Sequence, residues 1–135
     1  MPPGWDGEEQ KAFVSDNPEE YLLVLGKKDN DGEKFLAQIS IYLLPNRPGV
    51  SAEEAALSLA QAQVEVTKPQ KEGHLWTFTG EPRSNVVKGR AKTLVNTDKD
   101  MMLIIIAQDP DGLGAKSILE SVRGITGKAR DLLGR

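Results

Sequence analysis

The stretch closest to a chemical site in this sequence is Gly112-Leu113-Gly114-Ala115-Lys116-Ser117, glycine-rich and ending in Lys-Ser downstream of an apolar run. A phosphate-binding loop needs Gly, four residues, then Gly-Lys-Ser/Thr, so that backbone N–H groups wrap the phosphates. The spacing here fails. Ala115 separates Gly114 from Lys116, and Asp109 stands where the first glycine belongs. Asp109 and Asp111 would also repel a phosphate. Asn96, Asp98 and Asp100 alternate like the start of a calcium loop, which then wants Gly at its sixth position and Glu at its twelfth. Met101 and Ala107 occupy those positions. Asp29, Asp31 and Glu33 form a second acidic cluster without a closing Glu. Both clusters read as solvated hairpin turns.

His74 is the only histidine. A Ser–His–Asp triad would have to use it, no Gly-x-Ser-x-Gly elbow accompanies it, and a zinc site would have a single imidazole. It reads as a strand-end residue. Two sets of side chains remain as candidates for contact rather than catalysis. One is aromatic: Trp5, Tyr42, Trp76 and Phe78. The other is a basic stripe, Lys88, Arg90 and Lys92 at alternate positions with Arg83 nearby. Such a stripe on an acidic protein can receive a carboxylate-rich partner or an anionic head group. The plainer reading makes the aromatics core and the stripe a solvated face.

The rest of the chain must position these groups. Its 135 residues suit one domain, and a chain this long buries roughly two-thirds of its unfolded surface, without need of a metal or disulfides. No cysteine is present, which excludes disulfides, thiolate nucleophiles and cysteine-held metal clusters. The net charge of −3 argues against a general nucleic-acid binder. No apolar run reaches the roughly 20 residues of a membrane-spanning helix. Met1-Pro2-Pro3-Gly4-Trp5 has no charged-then-apolar export pattern. The expectation is an exported, periplasmic protein if Met1 replaces a removed signal peptide, and a cytoplasmic one otherwise.

The organising stretch is Met101-Met-Leu-Ile-Ile-Ile-Ala107. Three consecutive isoleucines are stiff at χ1 and favour extended backbone, and an unbroken apolar run of this length predicts a strand covered on both faces. Other strands are predicted at 11–15, 21–26, 35–44, 64–68, 74–79 and 86–95. Residues 1–10 read as an irregular lead-in, 69–73 as a charged turn, and 126–135 as a last helical turn or a frayed tail. In 35–44, Phe35, Ala37, Ile39, Ile41 and Leu43 share one face. In 86–95, Lys88, Arg90, Lys92 and Leu94 share one face. The clearest helix is 51–63, opened by the capping box Ser51-x-x-Glu54, with a face of Ala52, Ala55, Ala56, Leu59 and Ala60. A second helix starts at Asp109-Pro110, where the carboxylate accepts the first free N–H groups and proline suits the first helical position.

This order of elements, with Pro3-Gly4-Trp5 at the start, Ser51, Glu53 and Glu54 on the capped helix, Gly89, Ala91 and Leu94 in the penultimate strand and Ile118-Leu-Glu-Ser-Val122 near the end, resembles the PsbP-like/DcrB-like group of small domains. The resemblance implies one domain over 1–135 with an α+β fold: an antiparallel β-sheet flanked by helices on both faces, an α/β/α sandwich. It also implies a non-enzymatic role, with no catalytic residue, cofactor or metal ligand to carry over. The expected function is a binding or assembly module of the bacterial cell envelope whose partner is another protein. One branch of the group resembles cytoplasmic chaperones for type VI secretion effectors, which hold hydrophobic helices, and that is the alternative. A third reading is a small enzyme using Asp109 and Asp111.

Overall fold

The computed structural model describes residues 5–11, 21–28, 35–45, 49–61, 63–73, 75–82, 90–98, 101–109, 112 and 114–121. In chain order these form β1 (Trp5–Lys11), β2 (Tyr21–Lys28), β3 (Phe35–Pro45), α1 (Ala52–Gln61), β4 (Gln63–Val64), β5 (Gln70–Glu72), β6 (Leu75–Pro82), β7 (Ala91–Thr97), β8 (Met101–Gln108) and α2 (Ala115–Ser121). The fold is α+β. Six long strands lie antiparallel in the order β1-β2-β3-β8-β7-β6, and the short β4 and β5 both pair with β6.

The isoleucine run is β8, at the centre between β3 and β7. Register decides what each of its side chains meets. Ile105 lies opposite Ile41 on β3 and Leu94 on β7, and Leu103 opposite Leu43. With Ile39, Leu25, Trp5, Met101 and the α2 residues Ala115 and Ile118 they form the main buried cluster. Each large side chain removed from water there contributes roughly 1.5–3 kcal/mol. The alternate residues do something different. Ile104 lies opposite Val95 and Tyr42, and Ile106 opposite Thr93 and Ser40. Val95 pairs onward with Trp76, and Thr93 with Phe78. Phe78 and Trp76 join Ala56, Leu59 and Ala60 of α1 in a smaller second cluster.

Local chemistry fixes both helices. Glu54 N–H donates to Ser51 Oγ at 3.2 Å, the first half of the predicted capping box. The alanine face of α1 brings the helix onto β6 and β7, and Thr97 Oγ1 donates to Val50 O at 3.0 Å, tying the helix start to the end of β7. At the other helix, Asp109 Oδ2 accepts from Gly114 N at 3.0 Å and Ala115 N at 2.9 Å. The cap is the one predicted, but it acts across five and six residues. The helix begins at Ala115 rather than at Pro110, which lies outside the described residues. Between them the chain turns through Gly112 at φ 66°, a conformation that glycine adopts at little cost. Asp109→Ala should therefore cost about 1 kcal/mol, read as a lower urea midpoint at unchanged slope.

Several boundaries differ from the sequence reading. The strand predicted at 64–68 shrinks to β4, Gln63–Val64, because the left-handed turn at Glu65 takes 65–69 out of the ladder. Of the strand predicted at 11–15 only Lys11 is described, as the end of β1, and the tail at 126–135 lies outside the described residues. The lead-in is not irregular throughout: β1 starts at Trp5 and pairs with β2 from Trp5↔Lys27 to Lys11↔Tyr21. Strand pairing overrides the weak local propensity of Asp6-Gly7-Glu8-Glu9. The charged turn contains β5, which takes ladder bonds from β6. The strand predicted at 86–95 is β7, Ala91–Thr97; residues 83–89 are not described.

Candidate functional site

Two surfaces stand out. The first is on the sheet face that carries Phe78, Val95 and Ile104. Over β6 and β7 this face is packed by α1, and Ala91, Thr93 and Val95 are all 0% exposed. One strand further the cover thins: Ile104 and Gln108 of β8 stay buried at 9% and 5% exposure, but their neighbours do not. Met102 and Ile106 of β8, Ser40, Tyr42 and Leu44 of β3, and Val24 of β2 are only half-buried. Register makes them neighbours: Leu44 opposite Met102, Tyr42 opposite Ile104, Ser40 opposite Ile106 and Val24. The result is a half-buried, mostly apolar strip across three strands, interrupted by the Ser40 hydroxyl and the Tyr42 phenol. The opposite side of β8 has no such gap, since Ile105 is 2% exposed and Met101 1%. The central strand, expected to be covered on both faces, is closed on one and only partly closed on the other, where Met102 and Ile106 are half-buried on either side of buried Ile104.

The second surface is at the outer edge. β4 pairs Gln63 with Pro82 and Val64 with Glu81, whereas β5 pairs Gln70 with Thr77 and Glu72 with Leu75. The partner numbers sum to 145 in the first case and 147 in the second, so two residues of register are lost between them. The slack is taken up by a bulge. Glu65 has φ 53°, a left-handed conformation unusual outside glycine. Thr67 then re-engages β6: its N–H donates to Thr79 O at 2.8 Å, and its Oγ1 accepts from Thr79 N at 2.9 Å. Bulges of this kind re-aim side chains at sheet margins. The bulge fits because residue 80 is glycine. A Cβ there would lie 2.5 Å from Val66 Cγ1 and 2.7 Å from Gln63 Oε1.

Beside the bulge is a shallow groove of about 400 Å³ where Lys68, Lys92 and Glu72 are the charged groups and Thr67, Thr77 and Thr79 the hydroxyls. Thr77 is 6% exposed. Lys92 Nζ and Glu72 Oε2 are 3.6 Å apart, with both side chains about half exposed. Because Glu72 lies opposite Leu75 and Lys92 opposite Thr79, this pair reaches diagonally over the face on which Thr77 sits. Arg90 Nη2 donates to Thr79 O at 3.2 Å.

The predicted contact residues scatter across this frame. Trp5 and Phe78 are 5% and 3% exposed and belong to the two core clusters, so their area serves the fold. Trp76 is half-buried against α1's cluster. Tyr42 alone of the aromatics lies in the open strip. Of the basic stripe, Lys92 lines the groove, Arg90 is exposed at its margin, and Lys88 lies outside the described residues, as do His74, Asp29, Asp31 and Asp111. The acidic turn of Asn96 and Asp98 closes the β7–β8 hairpin: Asp98 Oδ1 accepts from Met101 N at 2.7 Å. The glycine-lysine stretch is served by the chain's own anion, since the Asp109 carboxylate takes the N–H groups of Gly114 and Ala115.

Sequence reasoning passed over Val24, Leu44, Met102 and Ile106, because an all-apolar strand gives no sign of which face is uncovered. It also passed over Thr77 and Thr79. Their signal was present, as alternation with Trp76 and Phe78, but only the aromatic side of that strand drew notice. No protein-family model, curated protein or solved structure matches the chain.

Proposed function

We propose that this chain is a non-enzymatic binding module of the bacterial cell envelope, built as an α/β/α sandwich, that takes an apolar helix of a partner protein on the strip beside α1. The sandwich arrangement draws its support from cluster membership: α1 packs with Phe78 and Trp76, and α2 with residues at the alternate strand positions. The binding role rests on one observation, the partial cover of one face of β8, where Met102 and Ile106 are half-buried on either side of buried Ile104, against 2% exposure for Ile105 on the other face. Strands are about 4.8 Å apart, so a helix of about 10 Å diameter covers roughly two of them. With α1 over β6 and β7, the adjoining pair β8 and β3 has the width of one further helix, with β2 at its margin. Tyr42 supplies a phenol at its middle, the kind of amphipathic anchor enriched at protein interfaces.

The same strip favours a second reading, a cytoplasmic chaperone that holds hydrophobic helices of type VI secretion effectors. Compartment separates the two, and fractionation of cells carrying the gene in its natural context decides it. The envelope reading fails if the protein stays in the cytoplasm.

Binding itself is tested by crosslinking. The chain has no cysteine, so Ile106→Cys carries a photo-crosslinker at one place. The expected product is an adduct to an apolar helical segment of a single protein, absent when the crosslinker is moved to exposed Glu53. Met102→Gln should lower its yield at least about tenfold while costing only about 1 kcal/mol of stability. Equal adducts from both positions, or none from the strip, contradict the proposal.

A further inference from the structure

We infer that Met102 is an oxidation switch on the strip: peroxide converts its thioether to the sulfoxide and releases the docked helix, and reduction restores the contact. The switch presupposes the helix docking proposed above. The chain has three methionines, Met1, Met101 and Met102, and the two on β8 lie on opposite faces of the sheet. Met101 is 1% exposed in the main cluster. Met102 is half-buried at one end of the strip, opposite Leu44 on β3 and Thr97 on β7. The hairpin before it fixes its place: Asp98 N–H donates to Met101 O at 3.0 Å, and Met101 N–H to Asp98 Oδ1 at 2.7 Å.

The chemistry needs access to the sulfur and an oxidant, hydrogen peroxide. The sulfur attacks one peroxide oxygen, the S–O bond forms as the O–O bond breaks, and the second oxygen leaves as water after proton transfer. The sulfur loses two electrons and the peroxide gains them. In the reverse direction a dithiol reduces the sulfoxide, giving the thioether, a disulfide and water. Oxidation puts a polar, chiral side chain where an apolar one stood. Under a docked helix the new oxygen needs a hydrogen-bond donor, because a buried acceptor without one is costly. Neither cross-strand neighbour supplies it. Leu44 is apolar, and the Thr97 hydroxyl donates to Val50 O at 3.0 Å. With the strip open, water solvates the oxygen and the fold is kept. Oxidation therefore disfavours the docked state alone.

The test treats the full chain with dilute hydrogen peroxide and reads each methionine by fragment mass spectrometry. Met102 should be oxidised at least about tenfold faster than Met101, which reacts only when β8 opens. The Ile106→Cys chain carrying the photo-crosslinker is then treated until Met102 is fully oxidised. Its adduct yield should fall about tenfold or more, and return after incubation with methionine sulfoxide reductases for both epimers. In the Met102→Leu background, a volume-conserving exchange, peroxide should leave the yield where it was before treatment. That arm separates Met102 from the thioether of the crosslinker itself. Equal oxidation of the two methionines, an unchanged yield with Met102 fully oxidised, or an equal fall in the Met102→Leu background overturns the switch and leaves the binding reading standing. No adduct before peroxide is added overturns the binding reading, and the switch with it.

Discussion

Ile105→Ala is expected to lower the unfolding free energy by about 3–4 kcal/mol, within the range for emptying a buried isoleucine site. Ile105 is 2% exposed, on the central strand, between Ile41 and Leu94. Neither neighbour can close the gap without leaving its own ladder position, so a cavity term adds to the lost transfer term. The melting midpoint should fall by about 10 °C or more. Ile106→Ala next door should cost only about 1 kcal/mol, since a half-buried side chain forfeits less area and leaves no enclosed void. Urea denaturation of both variants measures the contrast. Equal losses would mean that β8 is covered alike on both sides.

Gly80→Ala is expected to destabilise by about 1–3 kcal/mol, against the usual sign. In an ordinary strand, replacing glycine by alanine stabilises by about 0.5–1 kcal/mol, because the unfolded chain loses freedom. Here the new methyl group meets Val66 Cγ1 and Gln63 Oε1 at under 3 Å. Val66 is β-branched and turns only between few rotamers. Gln63 is held through Nε2 to Thr93 Oγ1 at 3.4 Å, and its Oε1 is already buried without a hydrogen-bond partner. The bulge has to lift, which should release the Thr67 and Thr79 amides. Faster hydrogen exchange at those two amides, together with the lowered stability, is the expected pair of results. A stabilised variant with unchanged exchange would mean that the edge segment is not seated on Gly80.

The long strands were legible because their side chains declare them. Ile39, Ile41 and Leu43 alternate with Ser40 and Tyr42, and the isoleucine run of β8 is stiff and apolar. The Ser51–Glu54 spacing located α1, and Asp109 was assigned its capping role, although the helix it caps begins further on. What was not legible depends on pairing between distant residues. Asp6-Gly7-Glu8-Glu9 has no strand propensity of its own and becomes β1 through its ladder with β2. The bulge at 65–69 comes from a register mismatch along β6, which no local pattern encodes. The strip was hidden for a related reason. Where every residue of a strand is apolar, burial has to be read from what packs on each side, and α1 packs mainly on β6 and β7. Tyr42 was singled out as an aromatic, and its half-apolar neighbours follow from register alone.

The central claim is that the two sides of β8 differ in cover, and thiol labelling tests it most directly. In a chain with no native cysteine, Ile106→Cys and Ile105→Cys differ by one residue and one sheet face. Under native conditions the Ile106→Cys variant should react with a thiol reagent at a rate approaching that of a Glu53→Cys surface control. The Ile105→Cys variant should react only through unfolding. Equal protection of both thiols, or faster reaction at 105, would contradict the account.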